Sequence, residues 1–342
     1  MKKSTSILLK ILLATTLTLT SIYIFAPWQY VLHYLSPLPA TIQQQADEAV
    51  EQGVAGIILY VDQEGAEPEL YASGWHNRQD EVPAYPEALF KIASIGKLYD
   101  AAAVSSLVAR GNLSLDRTLA EYLPSLAERI EYSDQITLRM MVQHTSGIPN
   151  FSDQEGFSWD GEGLDVWALM MDKPGLFEPG TDYAYSNSNY LLLARIMDEA
   201  LGYPYGQFIK EELLQPLGIS RTYFSMDGFD ENELMSGYWL GSDTDYKYLD
   251  QGYVATAEDV GVFLRALNDG SLFSDRARDV YASLYEFEHT GWVLGYYSIA
   301  RYHRDIDTVV IQFVNTNGGD TILLNDIVYG RVLKILRKRN ST

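Results

Sequence analysis

Two strand-like runs lie near one end of the chain, three lie near the other, and no run of comparable length lies between. "VAGIILYVDQEG" (54–65) and "PELYASGW" (68–75) read as two strands around a turn at Gly65. "LYEFEHTG" (284–291), "YYSIARYH" (296–303) and "TVVIQFVNT" (308–316) read as three more with tight connections. From about Phe90 to Asn268 the pattern is helical, broken by loops rich in Pro and Gly. "TIQQQADEAVEQG" (41–53) and "ILLNDIVYGRVLKILRKRN" (322–340) add a helix beside each strand group. Strands and helices in separate blocks predict an α+β fold. The early and late strands are expected to pair into one antiparallel five-stranded sheet flanked by helices. The middle block, about 110–270, then becomes an inserted all-helical subdomain.

The N-terminus sets the expected compartment. "MKKSTSILLKILLATTLTLTSIYIFAPWQY" carries Lys2, Lys3 and Lys10 and then an uncharged stretch from Ile11 to Ala26. If Lys10 snorkels, the apolar span begins at Ile7 and reaches about 20 residues, enough to cross a bilayer. Trp28, Tyr30 and Tyr34 follow like an interfacial belt, and the next basic residue is Arg78. The expectation is a single-pass cell-membrane anchor over 1–30, with its N-terminus in the cytoplasm and the rest in the periplasm or outside. A cleaved signal peptide is the competing reading and would make the protein secreted or periplasmic. A linker (31–41) would join the anchor to a catalytic domain (42–338).

Composition excludes several function classes. The chain has 25 basic and 46 acidic residues, a net charge of −21, which argues against a nucleic-acid partner. It has no cysteine, so there is no disulfide framework, thiolate metal site or cysteine nucleophile. Its histidines, at 33, 76, 144, 289 and 303, show no metal-ligand spacing, so no metal or other cofactor is expected. Nothing in the sequence sets an oligomeric state.

Three short segments carry chemistry. In "ALFKIASIGKLYDAAAV" (88–104), Ser94 and Lys97 stand three apart and share one helix face. A serine at a helix N-terminus sits near unpaired N–H groups, and a desolvated lysine beside it helps remove the hydroxyl proton. Taken alone, Ser94 reads equally as an N-cap. In "YAYSNSNY" (183–190), Tyr185 offers a phenol for proton transfer and Asn187 an amide that can hold a substrate amide. His289-Thr290-Gly291 ends a strand. Its glycine admits close approach, and the next residue, Trp292, can present its backbone N–H beside that of Ser94 as an oxyanion hole. Ser94 is not in G-x-S-x-G, because Ile92 stands at the first glycine position, which argues against an α/β-hydrolase elbow. His144 reads as structural, and "SDQEGFSWDGEG" (152–163) reads as a solvated loop rather than a lid.

In order and spacing, Ser94-Ile95-Gly96-Lys97, Tyr185-Ser186-Asn187 and His289-Thr290-Gly291 resemble the three motifs of the serine β-lactamase and D-alanyl-D-alanine carboxypeptidase family. The likeness is to its class C-like branch, which includes β-lactamase-fold esterases. "ARGNLSLDRTLAEYLP", "LRMMVQHTSGIPNF", "FEPGTDYAYSNSNYLLLARIMDEALG", "LLQPLGISRTYF" and "VATAEDVGVFLRAL" are also similar to family stretches. The resemblance implies that Ser94 forms an acyl-enzyme and that Lys97 and Tyr185 share its proton. Asn187, His289, Thr290 and Gly291 would bind substrate. The implied substrate is a peptidoglycan-derived D-Ala-D-Ala peptide, a β-lactam or a small ester. His289 stands where many β-lactamases carry lysine, which tilts the expectation toward peptidase or esterase. The alternative is a catalytically inactive relative that binds peptidoglycan or a protein partner.

Overall fold

The computed structural model describes residues 2–161, 163–249 and 252–340. Met1, Glu162, Asp250, Gln251, Ser341 and Thr342 lie outside the described residues, and so do the side chains of residues 2–6 and 8, Lys2 and Lys3 of the expected anchor among them. Three helices come first: α1 (Lys2–Phe25), α2 (Trp28–Leu35) and α3 (Ile42–Glu51). Thr41 caps α3 through a capping box with Gln44, so the helix begins where its first apolar residue, Ile42, must be buried.

Strands β1 (Gly56–Gln63), β2 (Glu69–Asn77) and β3 (Val82–Pro83) follow, and then the short β4 (Phe90–Lys91). The middle of the chain holds α4 (Gly96–Arg110), α5 (Leu119–Tyr122), α6 (Leu138–Val142), α7 (Val166–Met170), α8 (Asn187–Leu201) and α9 (Tyr205–Phe208). Three two-residue strands, β5 (Thr222–Tyr223), β6 (Tyr238–Trp239) and β7 (Val254–Ala255), lead to α10 (Ala257–Asp269) and α11 (Asp275–Ala282). The last elements are β8 (His289–Val293), β9 (Tyr296–His303), β10 (Thr308–Val314), β11 (Thr316–Asn317) and α12 (Thr321–Arg339).

The main sheet runs β3-β2-β1-β10-β9-β8, antiparallel throughout, so the two ends of the chain meet at β1 and β10. Alternation explains how one sheet serves two cores. Ile57, Leu59 and Val61 of β1 face a core shared with α3 and α12, while Ile58 and Tyr60 face the larger core under the helical block.

Two strand expectations need correction. The sheet has six strands, because the two-residue β3 adds to β2 with Pro83 on the outer edge, where a missing N–H costs nothing. Such a strand is too short to leave an alternating pattern. The run 284–291 is a strand only from His289. Upstream, the Glu286 carbonyl accepts from the Tyr281 hydroxyl (2.6 Å) and the Phe287 carbonyl from Asn268 (3.0 Å), so neither joins a ladder.

The N-terminal expectation is met only in part. The apolar side chains of Ile7 and of α1 from Leu9 to Phe25 are largely exposed. Among the described residues no single helix is long and apolar enough to cross a membrane. Leu9–Phe25 and Trp28–Leu35 qualify together, across an 89° bend. Helix α2 rests on the folded domain, with Tyr30 and His33 buried.

Candidate active site

Buried β4 leads into a three-ten turn, Ala93–Ile95, and straight on into α4. Ala93 sits in the left-handed region at φ 50°, which costs a non-glycine residue about 1–3 kcal/mol. The turn is fixed on both sides. The Ile92 N–H donates to the Tyr253 carbonyl (2.9 Å), and the Ile92 carbonyl accepts from the Ser298 hydroxyl (3.1 Å). Ser94 is the middle residue of this turn. Its side chain caps neither the turn nor α4, so the N-cap reading does not apply.

Lys97 is buried in the first turn of α4. Its ammonium donates to Ser94 Oγ at 3.2 Å and to Asn187 Oδ1 at 2.8 Å, and lies over the rings of Tyr185 and Tyr190. The Tyr185 hydroxyl donates to Ser94 Oγ at 2.8 Å. Ser94, Lys97, Tyr185 and Asn187 thus form one hydrogen-bonded group.

His144 holds the Tyr185 segment. It occupies a left-handed position (φ 58°) after α6, and its ring stacks on Tyr185 with centroids 4.4 Å apart. Its Nδ1 accepts the Ser186 N–H at 3.1 Å, which places the proton on Nε2. Burial, aided by the Lys97 charge, pushes its pKa down to about 3, so the ring is neutral. His144 is therefore a structural prop.

His289, Thr290, Gly291 and Trp292 lie on β8, the edge strand beside the Ser94 turn. Gly291 is required there, since an added Cβ would fall on the Ile92 carbonyl oxygen and Ser298 Oγ. Ser94 and Trp292, the expected oxyanion-hole pair, thus stand on adjoining elements. His289 is held by its two ring nitrogens. Its Nδ1–H donates to the Thr290 carbonyl (2.5 Å), and its Nε2 accepts from the Tyr285 hydroxyl (3.1 Å). Burial pushes its pKa down to about 4, so no cation stands at this position near neutral pH.

Several contributors were not singled out from sequence. Asn150 Oδ1 accepts the Asn187 N–H (3.1 Å), and Ser152 Oγ accepts from the Asn187 amide (3.4 Å). One turn beyond Lys97, buried Asp100 accepts a hydrogen bond from Tyr253, whose hydroxyl also meets Tyr205 (2.7 Å). The spacing Ser94, Lys97, Asp100 was a readable signal of a shared face. Nothing local announced Tyr253. Among the described residues no group of three or more His, Asp or Glu could hold a metal ion.

Comparison with known proteins agrees with this geometry. The β-lactamase family profile matches residues 39–329. The chain is 28% identical over 158 residues to penicillin-binding protein 4* of Bacillus subtilis, covering 44% of this chain and 34% of that protein. It is 29% identical over 203 residues to a β-lactamase of Pseudomonas fluorescens, covering 58% and 55%. It thus spans between a third and just over half the length of these curated relatives. Its fold is similar to that of D-amino acid amidase from Ochrobactrum anthropi SV3, at TM-score 0.75 and 22% identity, over 87% of this chain and 98% of that one. It is also similar to a penicillin binding protein from Bacillus halodurans, at TM-score 0.72 and 19% identity, over 86% and 100%. With a profile match across most of its length and this shared fold, the chain belongs to the β-lactamase family.

Proposed function

We propose that the protein is a serine hydrolase that cleaves an amide or ester through an acyl-enzyme on Ser94. The observation that carries the reading is the position of Ser94 Oγ, 2.8 Å from the Tyr185 hydroxyl and 3.2 Å from Lys97 Nζ. Either group, once deprotonated, is within reach of the serine proton. Oγ then attacks the substrate carbonyl carbon, and the carbonyl oxygen takes up the negative charge facing the N–H groups of Ser94 and Trp292. The proton passes to the leaving amine or alcohol as the C–N or C–O bond breaks. Water, deprotonated by the same pair, attacks the ester carbonyl, and Ser94 leaves with a proton. Asn187 orients substrate and holds Lys97, while Thr290 and Gly291 border the cleft.

The substrate classes that fit are a D-Ala-D-Ala peptide, a β-lactam or a small ester. Neutral His289 attracts a substrate carboxylate less than an ammonium would, which favours an ester or amide without a carboxylate. The name of the D-amino acid amidase with a similar fold supports amide cleavage. We assign residues 42–338 to the catalytic unit and 1–30 to an uncleaved membrane anchor that leaves the catalytic unit outside the cytoplasm. The apolar, exposed side chains of Ile7 and of α1 from Leu9 to Phe25 support the anchor, because such a helix is stable in lipid or a protein core.

The test uses full-length protein with a fluorescent penicillin and a p-nitrophenyl ester, each against Ser94→Ala, with intact-mass spectrometry. Serine-dependent turnover or a serine-bound acyl adduct is the expected result. Identical behaviour of wild type and variant would leave an inactive, binding relative.

A further inference from the structure

The segment 150–159 spans the site from one wall to the other. At its start it is tied to α8. Asn150 and Ser152 bond Asn187, and the Phe151 N–H donates to the Ser188 hydroxyl at 3.0 Å. From there an aromatic series runs outward. Phe151 meets Phe157 (centroids 5.6 Å apart), and Phe157 meets Trp159 (4.9 Å). Trp159 then meets Trp292 on edge strand β8, 5.6 Å away and nearly perpendicular at 73°. Each ring is half-buried. Edge-to-face pairs of this kind add to the burial of their area. The sequence reading of 152–163 as a solvated loop therefore does not describe its first half, which bridges Asn187 and Trp292.

We infer that the arch formed by Phe151, Phe157, Trp159 and Trp292 closes the acyl side of the cleft and restricts the protein to short apolar acyl groups. The inference rests on the acyl-transfer reading above and narrows its substrates to those with a short acyl group, setting aside an extended D-Ala-D-Ala peptide. The leaving group must depart beside Tyr185 and Lys97, which return its proton. The carbonyl oxygen faces the Ser94 and Trp292 N–H groups. The remaining substituent of the carbonyl carbon, the acyl chain, then points along β8 toward the Trp292 ring and meets Trp159. An extended acyl chain must displace Trp159 from Trp292.

The experiment measures kcat/KM on p-nitrophenyl acetate, butyrate and octanoate with the full-length chain. Wild type, Trp159→Ala, Trp159→Phe and Ser94→Ala are compared. Phe157→Ala, one ring further back, is the second variant should Trp159→Ala fail to fold. In Trp159→Ala the octanoate-to-acetate ratio is expected to rise about tenfold, a pocket-size effect. Trp159→Phe, which restores a ring, is expected to return most of the wild-type ratio. Serine-dependent turnover with an unchanged ratio in folded Trp159→Ala and Phe157→Ala would overturn the inference and leave the hydrolase reading standing. Turnover indifferent to Ser94→Ala would remove both.

Discussion

The Tyr185 hydroxyl stands 2.8 Å from Ser94 Oγ although 91 positions separate them in the chain. Lys97 reaches the same oxygen at 3.2 Å. Two proton carriers on one nucleophile make each partly dispensable in binding but not in proton transfer. Tyr185→Phe keeps the ring stacked on His144 and removes only the oxygen. It is expected to lower kcat by roughly 100- to 10,000-fold with little change in KM. Steady-state kinetics on a p-nitrophenyl ester decide it, and a loss confined to KM would argue that Tyr185 only positions substrate.

Asp100 gives the protein a pH dependence of its own. Burial pushes its carboxyl up to about 7, against the opposing pull of the Tyr253 hydrogen bond and the Lys97 charge. The unfolded value is about 3.9, so the folded chain holds an extra proton between roughly pH 4 and 7. That stability is fully present below the unfolded pKa and is lost as pH rises through the folded one. His289 and His144 stay neutral from pH 5 upward in the folded protein and add no charge there. Between pH 5 and 8 the wild-type Tm is expected to fall relative to Asp100→Asn by about 3 °C or more. Parallel melting curves for the two proteins across that range would sink the idea.

Gly96→Ala is expected to destabilise, against helix propensity. Alanine in a helix interior is favoured over glycine by about 1 kcal/mol. At this site an added Cβ would lie 2.8 Å from Tyr253 Cδ2. That ring is pinned through its hydroxyl to Asp100 and Tyr205 and cannot slide aside. Overpacking of this kind costs about 1–3 kcal/mol and outweighs the propensity gain. Urea denaturation gives the sign directly, and a more stable variant would show that Tyr253 yields.

Arg331 is 1% exposed, and its guanidinium donates to the carbonyls of His33, Ser36 and Pro37 and to Gln45 and Glu48. The fan clamps the segment after α2 onto α3 and α12. Removing one side of a buried charged network is costly, so Arg331→Met is expected to lose about 3–5 kcal/mol. Limited proteolysis should then open the chain between residues 33 and 41 before the domain itself. A variant as stable and as resistant as wild type would mean that the α2 contacts suffice without the clamp.

The parts of the molecule legible in sequence are those set by neighbours along the chain. The continuous apolar run "IILYV" marked β1, and both of its faces proved buried. The helix read over 41–53 formed as α3, whose start Thr41 and Gln44 close within one turn. The spacing of Ser94 and Lys97 placed them on one face for the same reason, and the order of the three motifs led to the family.

What only the tertiary structure decided is which distant groups meet. Ser94 could be read as a cap until the chain closed and brought Tyr185, Asn187 and Lys97 onto one hydrogen-bonded group. Nothing beside Gly96 in the sequence announced the Tyr253 ring packed against it. His289 carried no sign that Tyr285 and the Thr290 carbonyl would hold its ring, nor 152–159 that its rings would reach Trp292. Periodicity and caps depend on dihedral angles and hydrogen bonds within a few residues. These contacts depend on the pairing of β1 with β10, which joins the two ends of the chain and sets where everything between them must pack.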